Sequence, residues 1–240
     1  MNFKDLLRET LLFLRLDLTK NLEYDRLTRL IMQRVIHSRS NCIDVGCHKG
    51  EILQQILTYA PDGQHYAFEP IPYFFKQLQA TYPRRVTLYP YALADQAGTS
   101  SFQFVKNAPA YSGIRRRHYA VAQPDIEEIE VEIATLDDLI PADVPIHFMK
   151  IDVEGGEFAV LKGGKKLLKR HKPVVVFECG LGASDYYGTD PLELYTFLTR
   201  EVGLKLATLK AFVQSKEALS PEAFKNYFHN NQEYYFIAFP

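Results

Sequence analysis

The chain contains no tryptophan, only three cysteines and no long run of apolar residues. Cys42, Cys47 and Cys179 have neither the spacing of a zinc ribbon nor that of a CxxC redox pair, so the sequence predicts reduced thiols. No segment approaches the roughly 18 apolar residues that span a bilayer, and the apolar stretch from Leu11 to Leu14 is too short for a signal-peptide core. These absences predict a cytoplasmic protein without a membrane span.

The chain also lacks an excess of charge of one sign, because 28 basic and 29 acidic residues leave a formal net charge of −1. This balance gives no whole-protein field that would gather nucleic acid or an anionic membrane, although a local patch is still compatible with it. The 240 residues are 47% hydrophobic, which is enough to bury a full core without disulfides or metal. The length suits one large domain or two small ones.

Strands and helices alternate along most of the chain. Strands are predicted at 42–45, 66–68, 86–89, 146–151, 174–177, 204–209 and 234–239, the last two near the sheet edge, and helices at 49–59, 73–81, 157–168 and 191–201. This order predicts a doubly wound α/β fold with a mostly parallel, seven-stranded sheet and helices on both faces.

Two amphipathic helices, at 3–18 and 22–36, precede this alternation. We therefore divide the chain into an N-terminal helical extension, residues 1–40, and a main domain, residues 41–240. The extension is expected to cap the core. Shaping a substrate pocket and forming a homodimer contact are the alternatives.

The middle of the chain departs from the alternation. Two strands, 100–105 and 126–133, enclose a segment at 107–124 that carries Arg115, Arg116 and Arg117. A loop of this length is uncommon unless it is functional or mobile, so we place it near the mouth of the site. We interpret the arginine run as a solvated surface, with recognition of a substrate phosphate or carboxylate as the alternative.

The first segment that carries chemistry is Asp44-Val45-Gly46-Cys47-His48-Lys49-Gly50, at the end of the first strand. A glycine turn between strand and helix lets the backbone approach a ligand, and the helix N-terminus favours negative charge. A dinucleotide site prefers G-x-G-x-x-G, whereas Asp44 would repel a pyrophosphate and attract an ammonium. The amino-acid head of S-adenosylmethionine carries both charges. A structural turn in some other α/β protein is the alternative.

Glu69 ends the second strand, about 20 residues after the glycine turn. An acid at this place hydrogen-bonds ribose hydroxyls in nucleoside-binding folds. A solvated loop glutamate is the alternative, and the position of Glu69 between Phe68 and Pro70 disfavours it. The turn and Glu69 together predict a nucleoside cofactor.

Carboxylates crowd the end of the strand at 146–151, in Lys150-Ile151-Asp152-Val153-Glu154-Gly155-Gly156-Glu157. Ligands bind outside the carboxyl ends of strands in doubly wound sheets. Asp152 is the first candidate for a general base, and Glu154 and Glu178 are weaker ones. Binding of substrate hydroxyls or of a metal is an alternative role for these acids, although no secure set of metal ligands is evident. Glu157 is expected to pair with a helix dipole.

The sequence resembles the FkbM family of methyltransferases over about residues 41–180. The matching segments are Ile43-Asp44-Val45-Gly46 through Gly50, Tyr66-Ala67-Phe68-Glu69-Pro70, Tyr91-Ala92-Leu93, Thr135-Leu136-Asp137-Asp138-Leu139, Lys150-Ile151-Asp152-Val153-Glu154-Gly155 with Glu157, and Val160-Leu161-Lys162-Gly163. Two departures are Cys47-His48, where the family commonly has Ala-Asn, and Gly156, where it often has Ala.

The resemblance implies a class I, Rossmann-like methyltransferase fold that uses S-adenosylmethionine, most often to methylate an oxygen of a small hydroxylated molecule such as a sugar or natural product. We expect no metal and no nucleic-acid partner. The residues expected at the cofactor are Asp44, Gly46, Cys47, Gly50, Phe68, Glu69, Pro70, Ala92, Leu93 and Asp152. A methyltransferase acting on nucleic acid or protein and a non-catalytic nucleoside-binding scaffold are the alternatives.

Overall fold

The computed structural model describes residues 19–82, 84–119 and 121–240. Its strands are β1 (Cys42–Val45), β2 (His65–Phe68), β3 (Thr87–Tyr89), β4 (Ala92–Leu93), β5 (Gly98–Val105), β6 (Ile126–Ala134), β7 (Phe148–Ile151), β8 (Val174–Glu178), β9 (Lys205–Thr208) and β10 (Tyr235–Phe239). Its helices are α1 (Lys20–Val35), α2 (Glu51–Tyr59), α3 (Pro72–Thr81), α4 (Leu136–Leu139), α5 (Glu157–Gly163), α6 (Lys165–His171), α7 (Pro191–Thr196), which continues as a π-helix over Phe197–Val202, α8 (Leu209–Val213) and α9 (Pro221–Asn230).

Seven strands form the main sheet, in the order β3-β2-β1-β7-β8-β10-β9. The pairs from β3 to β8 are parallel, and β10 runs antiparallel to both of its neighbours. The predicted doubly wound, mostly parallel sheet of seven strands is confirmed. The strands predicted near the sheet edge, at 204–209 and 234–239, are the last two of this order: β9 is the edge strand, and β10 lies next to it with Phe236, Ile237 and Ala238 fully buried.

The strand order reverses between β1 and β7, which lie side by side at the centre of the sheet. Val45 of β1 is in register with Ile151 of β7 and with Phe68 of β2. The next residues, Gly46, Asp152 and Glu69, therefore emerge together at one edge of the sheet. This is the switch point at which such folds bind ligands.

Helix α1 covers one face of the sheet, as the periodicity at 22–36 predicts. It begins after Thr19, whose hydroxyl accepts a hydrogen bond from the Leu22 N–H. Its apolar stripe contacts α2 and the sheet, with Tyr24, Leu27, Ile31 and Met32 in one cluster with Ile56, Phe148, Val176 and Ile237. The helix predicted at 3–18 lies outside the described residues. None of the described helices is long and apolar enough to cross a membrane.

A second, three-stranded sheet is built from β4, β6 and β5. Strands β5 and β6 pair antiparallel along their whole length, and β4, which sequence analysis missed because it has two residues, runs parallel to β6. The apolar face of this sheet packs on the start of α3, where Phe102 and Val131 contact Ile71 and Phe74. The sheet also anchors the segment after β5, because Gln103 and Gly113 exchange backbone hydrogen bonds.

The helix predicted at 157–168 is two helices, α5 and α6, separated at Gly164. A side chain at the preceding Gly163 would collide with the backbone carbonyl oxygen of Ala94, so this glycine lets α5 approach the end of β4. Sequence analysis missed α9, although Ser220 caps its N-terminus and Pro221 occupies its first turn. Serine followed by proline is a helix-start signal that would have located it.

Candidate active site

A cavity of about 310 Å³ opens at the carboxyl ends of β1, β2 and β7. The small sheet covers one side of it, and the segment after β5 lies across its mouth, as predicted for residues 107–124. The lining residues are Val45, Gly46, His48, Glu51, Phe68, Glu69, Pro70, Ile71, Tyr91, Ala92, Leu93, Phe102, Pro109, Ala110, Ser112, Ile114, Asp152, Val153, Glu154, Gly156 and Tyr187.

The glycine turn after β1 forms the floor of the cavity. Gly46 has a φ of 77°, and a side chain there would collide with the backbone carbonyl oxygen of Asp152. Glycine is therefore required where the ends of β1 and β7 approach each other. Gly50, with a φ of 82°, caps the N-terminus of α2.

Asp44 lies behind this turn rather than in the cavity. Its carboxylate accepts a hydrogen bond from the Leu53 N–H in the first turns of α2, and its Oδ2 has no hydrogen-bond partner among the described residues. Burial raises the pKa of Asp44 to about 7, against the lowering effect of the Lys150 ammonium. Asp44 does not line the cavity, so a bound ligand would have to reach past the glycine turn to contact its carboxylate.

Two other residues expected at the cofactor also lie outside the cavity lining. Cys47 is buried with Leu53 and Leu78 on the α2 side of the sheet, and Gly50 faces Leu78 and Tyr82. The remaining expected residues do line the cavity: Gly46, Phe68, Glu69, Pro70, Ala92, Leu93 and Asp152.

Glu69 connects the turns that follow β1 and β2. Its Oε2 accepts a hydrogen bond from the His48 N–H at 2.7 Å, and its Oε1 accepts one from the Ile71 N–H at 2.9 Å. The residue is only 3% exposed, so it is not a solvated loop glutamate. Burial raises the pKa of Glu69 to about 7, although both backbone donors act in the opposite direction. Each carboxylate oxygen keeps a lone pair for a ligand hydroxyl.

His48 adopts a left-handed backbone conformation, with a φ of 47°, beside Glu69. Its ring packs on Phe74 with centroids 4.3 Å apart, and its buried Nε2 has no partner within the described part of the chain. Burial lowers the pKa of His48, and the neighbouring Lys49 adds to this effect. The imidazole is therefore favoured as a neutral group in the cavity wall.

One end of the cavity is apolar and aromatic. Phe68 stacks on Tyr89 with centroids 5.1 Å apart, and Tyr91 follows in the same stack at 6.0 Å from Tyr89. Ile71 and Phe102 close this end from the α3 side and from the small sheet. Asp152 and Glu154, which follow β7, also line the cavity.

Asp152 is held by two donors on one of its oxygens. The Lys150 ammonium lies 2.8 Å from Asp152 Oδ2, and the Tyr235 hydroxyl donates to the same oxygen at 2.6 Å. Burial by itself would raise the pKa of Asp152, but the Lys150 charge and both hydrogen bonds outweigh it and keep the pKa below its ordinary value. Asp152 is thus a stable carboxylate at neutral pH.

Glu154 forms an ion pair with Arg117, which reaches it from the segment across the mouth. The Arg117 side chain is 8% exposed, and its Nη1 also donates to the Gly182 carbonyl oxygen at 3.1 Å. The prediction of a solvated arginine run is therefore wrong for Arg117, whose side chain is paired with the half-buried Glu154, and correct for the exposed Arg115 and Arg116.

Tyr187 packs against the loop after β7. A side chain at Gly155 would collide with the Ala183 carbonyl oxygen and come within 2.8 Å of the Tyr187 ring, so this glycine makes room for the aromatic residue. Its hydroxyl accepts a hydrogen bond from the Arg115 N–H at 3.0 Å, and burial raises the pKa of Tyr187 to about 12. The structure therefore shows Tyr187 packed into the wall of the site.

Glu178 lies beside the two cavity acids, although it does not line the cavity itself. Carboxylate oxygens of Asp152, Glu154 and Glu178 lie within 4.8 Å of one another. Burial raises the pKa of Glu178 to about 8, and the charges of Asp152 and Glu157 add to the effect. A cation fits such a cluster, but Lys150 and Arg117 already contact Asp152 and Glu154.

Glu157 begins α5, as expected for an acid near a helix N-terminus, and it also holds the loop in front of the helix. One of its oxygens accepts hydrogen bonds from the Val153 and Gly155 N–H groups, at 2.9 Å and 3.2 Å. No role at the site was predicted for Lys150 or Tyr235, and the pairing of Arg117 with Glu154 and the packing of Tyr187 were not predicted either. Lys150 stands in the recognised motif, and the others come from distant segments that only the fold brings together.

Comparison with solved structures shows the class I methyltransferase type of α/β fold. An FkbM methyltransferase from Methylobacillus flagellatus KT superposes with a TM-score of 0.53 at 15% identity, over 85% of this chain and 44% of that chain. Fibrillarin from Aeropyrum pernix, solved with bound S-adenosyl-L-methionine, gives a TM-score of 0.44 at 11% identity, over 90% of this chain and 74% of that chain. The sugar N-methyltransferase KedS8 from Streptoalloteichus sp. gives 0.34 at 9% identity, over 64% and 47%.

The chain spans less than half the length of the first of these proteins. No curated protein matches the sequence significantly. The model of the methyltransferase FkbM domain matches residues 44–206, which is more than half of the 240 residues and includes the glycine turn, Glu69 and the acids after β7. The chain therefore belongs to the FkbM methyltransferase family, as the motifs predicted.

Proposed function

We propose that the cavity binds S-adenosylmethionine and that the protein transfers its methyl group to a hydroxyl oxygen of a small molecule, such as a sugar or natural product. The observation that carries this proposal is Glu69, a buried carboxylate fixed by two backbone N–H groups at the cavity wall. It suits the two adjacent hydroxyls of a ribose. Fibrillarin from Aeropyrum pernix, which binds this cofactor, shares the general fold.

The lining of the cavity offers groups that suit both parts of this cofactor. The apolar side chains of Ile71, Leu93 and Phe102 suit the adenine ring. The glycine turn at Gly46, together with Asp152, suits the methionyl part, whose ammonium and sulfonium groups are positive. A permanent carboxylate at Asp152 stabilises such a ligand by Coulomb attraction in a partly buried site.

Methyl transfer needs little further chemistry, because the sulfonium supplies an already activated methyl group. The protein has to align the attacking hydroxyl with that methyl group and accept the hydroxyl proton. Asp152 is the first candidate base from sequence, but its low pKa makes it a weak proton acceptor. Glu178, with a pKa of about 8, is the stronger base of the cluster, and its carboxylate lies within 4.8 Å of those of Asp152 and Glu154, which line the cavity. We assign final proton acceptance to Glu178, with the hydroxyl proton passing to it by way of one of these two carboxylates.

Calorimetric titration of the purified protein with S-adenosylmethionine, and separately with NAD, tests the proposal. We expect saturable binding of S-adenosylmethionine alone, because the site has a carboxylate behind its glycine turn and lacks the dinucleotide fingerprint. Binding of NAD, or of neither compound, would contradict the proposal. Cofactor binding without turnover on any hydroxylated acceptor would favour the non-catalytic scaffold instead.

The methyl transfer is expected to be independent of divalent metal. Lys150 and Arg117 supply positive charge to Asp152 and Glu154, so the cluster has little remaining affinity for an added cation. Incubation with a chelator should leave the initial rate within about twofold of the untreated rate, as measured by methyl incorporation. Loss of activity that added magnesium restores would show that the three carboxylates are metal ligands.

A further inference from the structure

The two carboxylate oxygens of Asp152 have different surroundings. Oδ2 receives both the Lys150 ammonium and the Tyr235 hydroxyl, at 2.8 Å and 2.6 Å. Asp152 is also part of the cavity lining, so Oδ1 is the oxygen left to meet a ligand. Two donors on one oxygen fix the rotation of the carboxylate more firmly than either donor alone.

Both donors are anchored in the main sheet. Lys150 lies in β7, in register with Asp44 of β1, and only 5% of its side chain is exposed. Tyr235 lies in β10, in register with Glu178 of β8, and its ring packs on Tyr24 at a centroid distance of 5.0 Å. The Lys150 ammonium also lies 4.6 Å from the centre of the Tyr235 ring, a cation–π distance. The Lys150 ammonium and the Tyr235 ring therefore stabilise each other, in addition to holding Asp152.

We propose that Tyr235 is a positioning residue, which together with Lys150 holds Asp152 as a carboxylate with Oδ1 directed at the positively charged methionyl part of the cofactor. This inference rests on the proposed function. The matched family domain ends at residue 206, so Tyr235 lies beyond it. The antiparallel strand β10 thus contributes to the ligand site although it is two strands away from the switch point.

Other charged groups also face Asp152, and the test has to separate their effects. Asp44 lies in β1, His48 in the turn after it and Arg117 in the segment across the mouth. The others lie in β7 and β8 and in the loop and helix after β7: Lys150, Glu154, Glu157 and Glu178. Tyr235→Phe leaves all of them in place and removes one hydroxyl. Its effect relative to the unchanged protein therefore reports on the hydrogen bond to Asp152.

The experiment is calorimetric titration with S-adenosylmethionine between pH 3 and pH 8, on the unchanged chain, Tyr235→Phe, Asp152→Ala and the double variant. We expect Tyr235→Phe to weaken binding about tenfold, and to raise by about one unit the pH below which binding is lost, since the carboxylate then takes up a proton more readily. In the Asp152→Ala background the same substitution should change affinity less than twofold, because there is no carboxylate to orient.

Tyr234→Phe is the matched control, because its hydroxyl donates to Asn21 at 2.7 Å on the exposed surface. It should bind as the unchanged chain does. If the unchanged chain does not bind S-adenosylmethionine, the proposed function fails and this inference fails with it. If the unchanged chain binds and Tyr235→Phe has the same affinity and pH profile, or if its effect adds fully to that of Asp152→Ala, only the positioning role is overturned.

A second measurement covers the case in which Tyr235→Phe does not fold. Carbon-13 nuclear magnetic resonance of the unchanged chain, with the Asp152 signal identified from its loss in Asp152→Ala, follows the titration of this carboxylate directly. We expect a midpoint below about 3.9, the ordinary value for aspartate. A midpoint at or above that value would overturn the positioning role.

Discussion

Replacing Glu69 by alanine is expected to weaken the binding of S-adenosylmethionine by about a hundredfold or more. The substitution removes both acceptors for the ribose hydroxyls, and hydrogen bonds to a charged group contribute about 1.5–3 kcal/mol each. It also leaves the His48 and Ile71 N–H groups without their partner, so the turns after β1 and β2 lose their common anchor. Calorimetric titration measures the change in affinity.

Two further variants separate binding from folding. Glu69→Gln keeps one acceptor oxygen and should lose about tenfold in affinity, an intermediate effect. Glu132→Ala, on the exposed face of β6, should bind as the unchanged chain does. Thermal unfolding without ligand shows how far each variant is destabilised. Unchanged affinity in a folded Glu69→Ala protein would remove the ribose role from Glu69.

The elements that could be predicted from sequence are those whose residues share one environment, because a shared environment gives a regular pattern of apolar residues. Strands buried on both faces, such as β1, β7 and β8, are mostly apolar, with Asp44, Lys150 and Glu178 as the exceptions, and parallel sheets produce this pattern. The antiparallel direction of β10 and its insertion between β8 and β9 could not be predicted in this way. Its run of apolar residues is compatible with either a central or an edge strand, and insertion between β8 and β9 depends on pairing between distant segments.

The same distinction applies to the site. Gly46, Glu69 and Asp152 were found because each directly follows a strand, and the switch-point rule places such residues together. Asp44 does not follow a strand but lies inside β1, and its carboxylate accepts a hydrogen bond from the Leu53 N–H of α2. Gly46, which directly follows β1, lines the cavity instead.

For residues that reach the site from distant segments, the surrounding sequence gives almost no indication of their role. Arg117 belongs to a run of three arginines, and nothing in the run distinguishes the one that is buried against Glu154 from its exposed neighbours. Tyr187 left an indirect trace, because a side chain at Gly155 would come within 2.8 Å of its ring. The packing does not explain the departure from alanine at Gly156, where a methyl group would make ordinary contacts with Tyr187 and Val153.

Replacing Glu178 by glutamine is expected to lower turnover about a hundredfold or more while making the protein more stable at high pH. A positioned base contributes about 10²–10⁴-fold to a proton-transfer step, and the amide has no basic oxygen. With an acceptor found by screening, kcat/KM of the unchanged chain should rise with pH as Glu178 loses its proton around pH 8. The residual rate of the variant should lack this rise.

The stability effect follows from the same group. Its pKa in the folded protein is about 8, mainly because of burial, and its ordinary value is 4.5. The folded state therefore holds one more proton than the unfolded state between these two values, and stability falls as pH rises through this window. Glutamine does not titrate, so Glu178→Gln should match the unchanged chain near pH 5 and unfold at a higher temperature at pH 9.

Thermal unfolding at pH 5 and pH 9 measures the effect on stability, and the pH profile of methyl transfer measures the effect on turnover. Both are measured on the unchanged chain and on Glu178→Gln. Glu154→Gln is the informative comparison, because it lies in the same cluster but is paired with Arg117 and should lose stability at both pH values. A Glu178→Gln protein that keeps full turnover would show that Glu178 is not the base. One that is less stable than the unchanged chain at pH 9 would show that Glu178 is charged and well paired in the folded state, in which case the pH rise in activity must come from another group.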